Sequence, residues 1–429
     1  MIKNNVLAAK LIAFALLAFT SLYSITAGAQ VYALSDLGTL GGTYSGGFGI
    51  NNAGQVVGAS YTAKDASLRP FLYGKGGMRD LGTLGGIIGY GYGVNNAGQV
   101  TGFSDGGNGQ HAFLYRNGSM VDLGTLGGAE SAGFGINTGG QITGSSSTPN
   151  NAAHHAFLYS HGSMIDLGTL GGADSYAYSI NDVAQIVGTA ADRYGTYRAF
   201  LYRNGSMTDI GSLGGGYGEA NGINSGGQIS GTSLTGGHAL HAFLYSNGAM
   251  KDLGTLGGAS SAGLGISSGG QVVGYSQTVN GAQHAFVYSN SKMKDLNSLI
   301  APGGTLARYV TLTEATAIND NGWIVANGID SRAGDTDDTH AYLLQAVSIA
   351  AQLTALLTEV TGVGPGHSLA NKVVQAQSYY AVANLPATCT VLTGFVNEVR
   401  AQSGKKISPQ LAATLVANAQ VVEAEIGCN

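Results

Sequence analysis

The phrase Asp-Leu-Gly-Thr-Leu-Gly-Gly begins at Asp36 and returns at Asp80, Asp122, Asp166 and Asp252. A variant starts at Asp209 and an eroded copy at Asp295, so the steps are 42 to 44 residues. A self-similar period of this size leaves few architectures open, because each copy must bury its apolar side against its neighbours. Within one period, from Asp122, four short alternating runs stand between turn signals: AGFGIN, GQITG, HAFLY and SMIDLG. Four strands per copy is the pattern of a propeller blade. Asn117-Gly118, Asn204-Gly205 and Asn247-Gly248 supply two-residue hairpin turns. Asn51, Asn95, Asn137, Asn181, Asn224 and Asn319 stand where a short amide can hold a turn through its own backbone.

The ends of the repeat region decide between an open stack and a ring. The chain opens with only a last-strand segment, Val31 to Gly38, and the final copy stops after its third run, at His340 to Leu344. The two fragments sum to one repeat. A capped solenoid does not explain that arithmetic. The expected fold is therefore mainly β, a seven-bladed β-propeller over residues 30–345 closed by the N-terminal strand. A small all-α bundle over residues 346–429 follows it.

Packing between blades can be read from the first run. Phe48, Tyr92, Phe134, Tyr178, Asn221, Leu264 and Thr316 alternate with small residues such as Gly47, Gly49, Gly91 and Gly93. Strict alternation would give each strand one bulky face and one bare face, the bare one admitting the neighbouring sheet.

Only 10% of the residues are charged, against about 25% in an ordinary soluble domain, while 71 of 429 are glycine. With a net charge of −5 and no basic run, nucleic acid has no electrostatic footprint here. Residues 1–29 read as a secretory signal peptide: Lys3 and Lys10, the apolar stretch Leu11 to Phe19, and small residues before Gln30. The expected location is secreted or extracellular, with the periplasm as an alternative. No transmembrane segment is expected after cleavage.

The HAF positions, Arg69, His111, His155, Arg198, His241, His284 and His340, together with the phrases DLGTLGG and GINxxGQVVG, resemble the HAF family of extracellular bacterial repeat proteins. The resemblance covers about Val31 to Leu344; it implies export and brings no established enzymatic activity to carry over. GHSLANKVVQAQ and LTGFVNEVRAQSGKKIS resemble a FIMAH-type C-terminal helical domain, which implies an accessory module. Helical spacing of Leu353, Leu356 and Val360, and the Ser408-Pro409 start, agree with helices there. Cys389 and Cys428 are expected to form a disulfide, stabilising the bundle by about 4 kcal/mol on the chain-entropy model.

His111 precedes Asp122 by eleven residues, a spacing shared by His155–Asp166, His241–Asp252 and His284–Asp295. Across a two-residue hairpin each pair becomes diagonal neighbours. Recurrence in most copies favours a strand tie over a general base, with Arg69 and Arg198 expected to tie the same aspartate in their copies. No catalytic residue, metal site or cofactor is assigned. The acidic run Asp330 to Asp338 could offer calcium Asp335, Asp337 and Asp338, but a solvated loop is favoured because EF-hand spacing is missing.

Function should lie where the copies differ, in the connection between the second and third runs. Tyr61, Lys64, Arg193 and Tyr194 are its candidate ligand-binding residues. The function read from this is a secreted, non-enzymatic binding or scaffold protein recognising an extracellular glycan or protein. The contrasting reading is a propeller hydrolase or lyase acting on polysaccharide. That reading requires Asp105, Glu130, Asp174 or Glu219 to converge as an acid–base set.

Overall fold

A computed structural model describes residues 30–107, 109–301, 306–332, 339–364 and 366–428. The expected signal peptide and the aspartates Asp335, Asp337 and Asp338 lie outside them. The described chain is mainly β, with a small helical part at its C-terminal end.

Strands form antiparallel groups of four in chain order. Gly41–Ile50, Val56–Thr62, Leu68–Gly74 and Gly77–Asp80 make the first group. Equivalent groups begin at Gly85–Val94, Ser131–Ile136, Gly171–Ile180, Gly214–Ile223 and Gly257–Ile266. The group that begins at Val310–Ile318 has only three consecutive strands. Its fourth is Tyr32–Asp36, which runs antiparallel to Thr339–Ala346 with Tyr32 opposite Ala346 and Asp36 opposite Tyr342. Contacts typical of neighbouring groups also join the last group to the first: Ala341 N donates to Ser45 Oγ at 3.0 Å, as Ala112 N does to Ser131 Oγ at 2.9 Å.

Every first strand departs from strict alternation at the same place. Register shifts fall between Gly47 and Gly49, Gly91 and Gly93, Gly133 and Gly135, and at the equivalent residues of the other groups. The expected bare face therefore needs correcting. Phe48 is the inserted residue of a bulge, so the glycines on either side of it turn to opposite faces. A Cβ on Gly49 would come 2.5 Å from the Tyr92 carbonyl of the next group, while Gly47 leaves room for Val325 of the preceding one. Both faces thus admit a close neighbour.

Inside each group the phenylalanine of the third strand covers a glycine of the second. Phe71 faces Gly58, Phe157 faces Gly144 and Phe243 faces Gly231, with all three rings fully buried. The glycine removes the one side chain that would lift the ring out of its layer.

The turn asparagines do more than hold their own turns. Asn95 accepts from Ala97 N and Gln99 N, donates to Gln99 Oε1 at 2.7 Å, and reaches the Asn137 carbonyl of the next group at 3.0 Å. Asn51, Asn137 and Asn181 each reach the next asparagine's carbonyl, and Asn224 reaches that of Ser267. Asn319 then donates back to the Asn51 carbonyl at 3.0 Å. Ser267 stands where the sixth amide would be, and there Ser268 N donates to Asp320 Oδ1 instead. Because these amides are buried, Asn95→Ala is expected to cost about 2 kcal/mol in urea unfolding, from lost bonds and an orphaned carbonyl. An unchanged midpoint would show that water replaces the amide.

Four helices complete the chain: α1 (Ile349–Val360), α2 (Ser368–Ala381), α3 (Leu385–Gln402) and α4 (Pro409–Ile426). Ser348, Asn384 and Ser408 cap α1, α3 and α4 through side-chain bonds to backbone N–H groups. Leu353, Leu356, Val373, Leu392, Phe395, Val399 and Leu415 form their common core. The expected disulfide between Cys389 and Cys428 is present. Among the described residues no helix is long and apolar enough to cross a membrane.

The helical part is fastened to the first strand. Glu425 Oε1 accepts from Val31 N at 2.8 Å, and Val347 N donates to the Val31 carbonyl at 2.9 Å. Burial pushes the Glu425 carboxyl above its usual value, against the bonds from Gln352 and Val31 and the charge of Lys294, which favour its charged form. An acid whose folded pKa is raised binds more protons when folded, so its contribution to stability falls as pH rises from 4.5 through the raised pKa. The stability difference between Glu425→Gln and the unaltered chain is therefore expected to move in the variant's favour as pH rises through that window. Parallel pH profiles in urea unfolding would contradict this.

Candidate ligand-binding site

The histidine–aspartate pairs sit where hairpin register places them, Asp122 being opposite Phe113. Nδ1 lies 2.8 Å from the carboxylate in His111–Asp122, 2.7 Å in His155–Asp166, 2.8 Å in His241–Asp252 and 2.6 Å in His284–Asp295. His340 makes the same pair with Asp36 at 3.0 Å, across the meeting of the chain's two ends. Each aspartate also receives a backbone N–H two residues on, such as Gly124 N or Gly168 N. The carboxylate thus opens the glycine phrase while the imidazole ties the strands.

The arginine copies behave differently from expectation. Arg198 Nε pairs with Asp192 at 3.0 Å and leaves Asp209 to Gly211 N. Arg69 makes no ion pair with Asp80, and its buried Nε has no hydrogen-bond partner. A guanidinium is carried on a longer stem than an imidazole, so Arg198 overshoots the diagonal carboxylate and meets the loop instead.

The four loop candidates do not come together. Lys64 is exposed in a left-handed turn, with φ of 62°. Its neighbour Asp65 pins that turn by accepting from Thr43 N at 2.9 Å. Arg193 lies over the ring of Tyr194 at 4.6 Å and donates to its hydroxyl, so these two engage each other. Tyr61 alone packs toward the centre of the molecule, edge-on to Tyr44 at 5.8 Å.

That contact leads to a circuit of aromatic and acidic side chains. The first strand of every group borders a cavity of about 220 Å³, where Phe48, Phe134, Tyr178, Asn221, Leu264 and Thr316 meet. The rings continue from group to group: Phe48 to Tyr92 at 5.4 Å, Tyr92 to Phe134 at 5.5 Å and Phe134 to Tyr178 at 5.7 Å. One step toward the variable loops, Tyr90 stacks on Tyr92, and Tyr176 stacks on His154 at 6.1 Å. A second cavity, about 250 Å³, opens between Tyr92, Phe103, Glu130, His154 and Tyr176.

Electrostatics complete the circuit. Burial, followed by the charges of Glu314 and Glu219, raises Tyr275 above the ordinary phenol range. Burial and then Tyr90, Glu314 and Tyr61 push Tyr44 up to about 12, and burial with Tyr90 and Tyr44 takes Tyr92 to about 12. Burial and then Asp174 raise Tyr176, while burial and then a hydrogen bond to Glu219 raise Tyr217. The phenols therefore remain neutral donors across the physiological range.

Of the carboxylates named from sequence, Glu130, Asp174 and Glu219 border this region. Asp174 accepts from His154 N at 2.9 Å, and Glu219 accepts from the Tyr217 hydroxyl. Among the described residues no hydrogen bond joins Asp105 to them or any two of the three to each other. Glu314 belongs to the same circuit and accepts from Asn327 Nδ2 at 2.9 Å. Counting four residues back from the apolar residue before each turn asparagine or its counterpart would have found it, since Tyr90, Tyr176, Glu219 and Glu314 share that place. Among the described residues no three His, Cys, Asp or Glu side chains are grouped to hold a metal ion.

No protein-family model matches the chain, and no curated protein sequence matches it. Among solved structures it is similar to TolB from Acinetobacter baumannii, with TM-score 0.39 and 11% identity over 68% of this chain and 64% of that one. It is also similar to a Mycobacterium tuberculosis puromycin-hydrolyzing peptidase, with TM-score 0.43 and 10% identity over 73% and 56%. A further likeness is to an Aleuria aurantia lectin, with TM-score 0.32 and 11% identity over 60% and 96%. The chain thus spans less than two thirds of the first two of these structures.

Proposed function

We propose that the chain is an exported, non-enzymatic glycan-binding protein of the HAF-repeat kind. In this reading it is a seven-bladed propeller closed by its N-terminal strand, with a FIMAH-type helical module behind it. The arithmetic of the repeats and the pairing of Tyr32–Asp36 with Thr339–Ala346 support the architecture. The ligand enters at the axial mouth on the variable-loop face. The observation that carries this is the set of partly exposed side chains Tyr90, Tyr176, Glu219 and Glu314, which share one place in their first strands, two residues before Tyr92, Tyr178, Asn221 and Thr316, with Glu130 and Tyr176 lining the cavity of about 250 Å³. Aromatic faces stack on the apolar faces of sugars, while neutral phenols and carboxylates bond hydroxyl groups. Tyr61 belongs to this mouth through its contact with Tyr44, while Lys64, Arg193 and Tyr194 lie in variable loops and share no site with it.

A glycan array and a hydrolysis screen on the chain from residue 30 onward test the reading. Retention of oligosaccharide without product is expected, and Tyr176→Ala should weaken it about tenfold, the equivalent of one stacking contact. Release of shortened sugar would establish an enzyme instead. Failure to retain any glycan would overturn the reading.

A further inference from the structure

We infer that the mouth selects saccharides carrying free ammonium groups, a de-N-acetylated amino-sugar polymer above all, over neutral or uronic-acid polymers. This rests on the glycan-binding reading and names the class of glycan.

The first observation is a charge left without a counterion. Glu130, Asp174, Glu219 and Glu314 come from four different groups: Glu130 lines the cavity of about 250 Å³, Asp174 accepts from the backbone of His154, which also lines it, and Glu219 and Glu314 hold the place of Tyr176 in their own first strands. None has an ion-pair partner among the described residues, where the ion pairs of Asp and Glu go to other sites. After burial, the charges of Glu314 and Glu219 both raise Tyr275.

The second observation concerns the rings. Wherever the chain stacks one of its own cations on a tyrosine, it does so elsewhere, at Tyr115, Tyr194, Tyr288 and Tyr309. Among the described residues no lysine or arginine lies over Tyr90, Tyr176 or Tyr275; Tyr92 stacks on Tyr90 and His154 on Tyr176, which leaves one face of each, and Tyr275 makes no ring contact. An ammonium group lying over such a face and beside a carboxylate gains both a cation–π contact and a charge-assisted hydrogen bond.

The third observation is dispersion. Among the described residues no three acidic or histidine side chains are grouped tightly enough to hold a metal ion. A charge pattern spread around an opening matches an extended ligand with a cation on each sugar. Stacking alone would accept any hexose, so the carboxylates set the preference. They also repel a uronic-acid chain.

The test is titration calorimetry of the chain from residue 30 onward with glucosamine oligomers and with the same oligomers N-acetylated. A mildly acidic buffer keeps the amines charged. The deacetylated form is expected to bind at least about tenfold more tightly, as one desolvated cation–π contact would give. Its affinity should fall with added salt, while that of the acetylated form should not. Glu219→Gln combined with Glu314→Gln, which keeps the side-chain volumes, should bring the two forms to similar affinity. Equal binding of both forms by the unaltered chain overturns the charge preference and leaves glycan binding standing. Binding of neither form, with no other glycan retained, overturns both. A deacetylated preference that survives the double substitution and Tyr176→Ala places the cation elsewhere and overturns the inference.

Discussion

Deletion of residues 30–38 is expected to abolish cooperative folding of the group Val310–Ala346 and to lower the stability of the whole repeat region. Val31, Tyr32 and Leu37 are each at most 5% exposed. At about 2 kcal/mol for each buried apolar side chain, their loss removes about 6 kcal/mol before any backbone bond is counted. That is comparable with the full stability of many domains, about 5–15 kcal/mol. The deletion also strips Glu425 of Val31 N and His340 of Asp36. Urea unfolding and small-angle scattering measure the effect. A variant that keeps its midpoint and radius would show the strand to be dispensable.

The second large effect is expected at Gly231. A Cβ there would overlap the Glu219 carbonyl and approach the Phe243 ring to 2.6 Å. The carbonyl belongs to the adjacent strand of the same ladder, Glu219 being opposite Thr232, so it cannot withdraw without breaking the pairing. Gly231→Ala is expected to destabilise by about 3 kcal/mol, at the upper end for overpacking by one methyl group. Combining it with Phe243→Leu should not restore stability, because the backbone obstacle remains. Recovery in the double variant would locate the crowding in the ring instead. Glu219 also borders the ligand mouth, so sugar affinity should fall along with stability.

Much of this was legible in the sequence. The period, the four strands in each copy and the hairpin register that sets Phe113 against Asp122 followed from turn residues and alternation. So did the helical stripes and the disulfide. The bulge at Phe48 was not legible, because glycines stand on both sides of it and period-two alternation is the same pattern with or without an inserted residue. The reach of Asn95 to Asn137 was hidden for another reason. It depends on how closely successive groups stack, and no single copy contains that distance. The partner of Arg198, Asp192, is hidden from the repeat because it sits in a connection whose shape the repeat does not fix. At the site, Tyr61 was singled out for its loop and Glu219 for its acidity, but Glu314 lies in the most eroded copy. Only alignment on the turn residue brings it level with Tyr90 and Tyr176.

Joining the two ends of the repeat region in one sheet also sets a sequence of events in time. Tyr32–Asp36 leaves the ribosome first, yet its partners are synthesised some 304 residues later, as the Asp36–His340 pair shows. Throughout that interval the strand is bare, a template for mispairing with another copy of the chain. Contacts so remote along the chain also form slowly. Refolding from denaturant should therefore end in a slow, concentration-sensitive step, with yield improving on dilution. The helices, made after the repeats, would arrive in time to latch the strand once it has found its place.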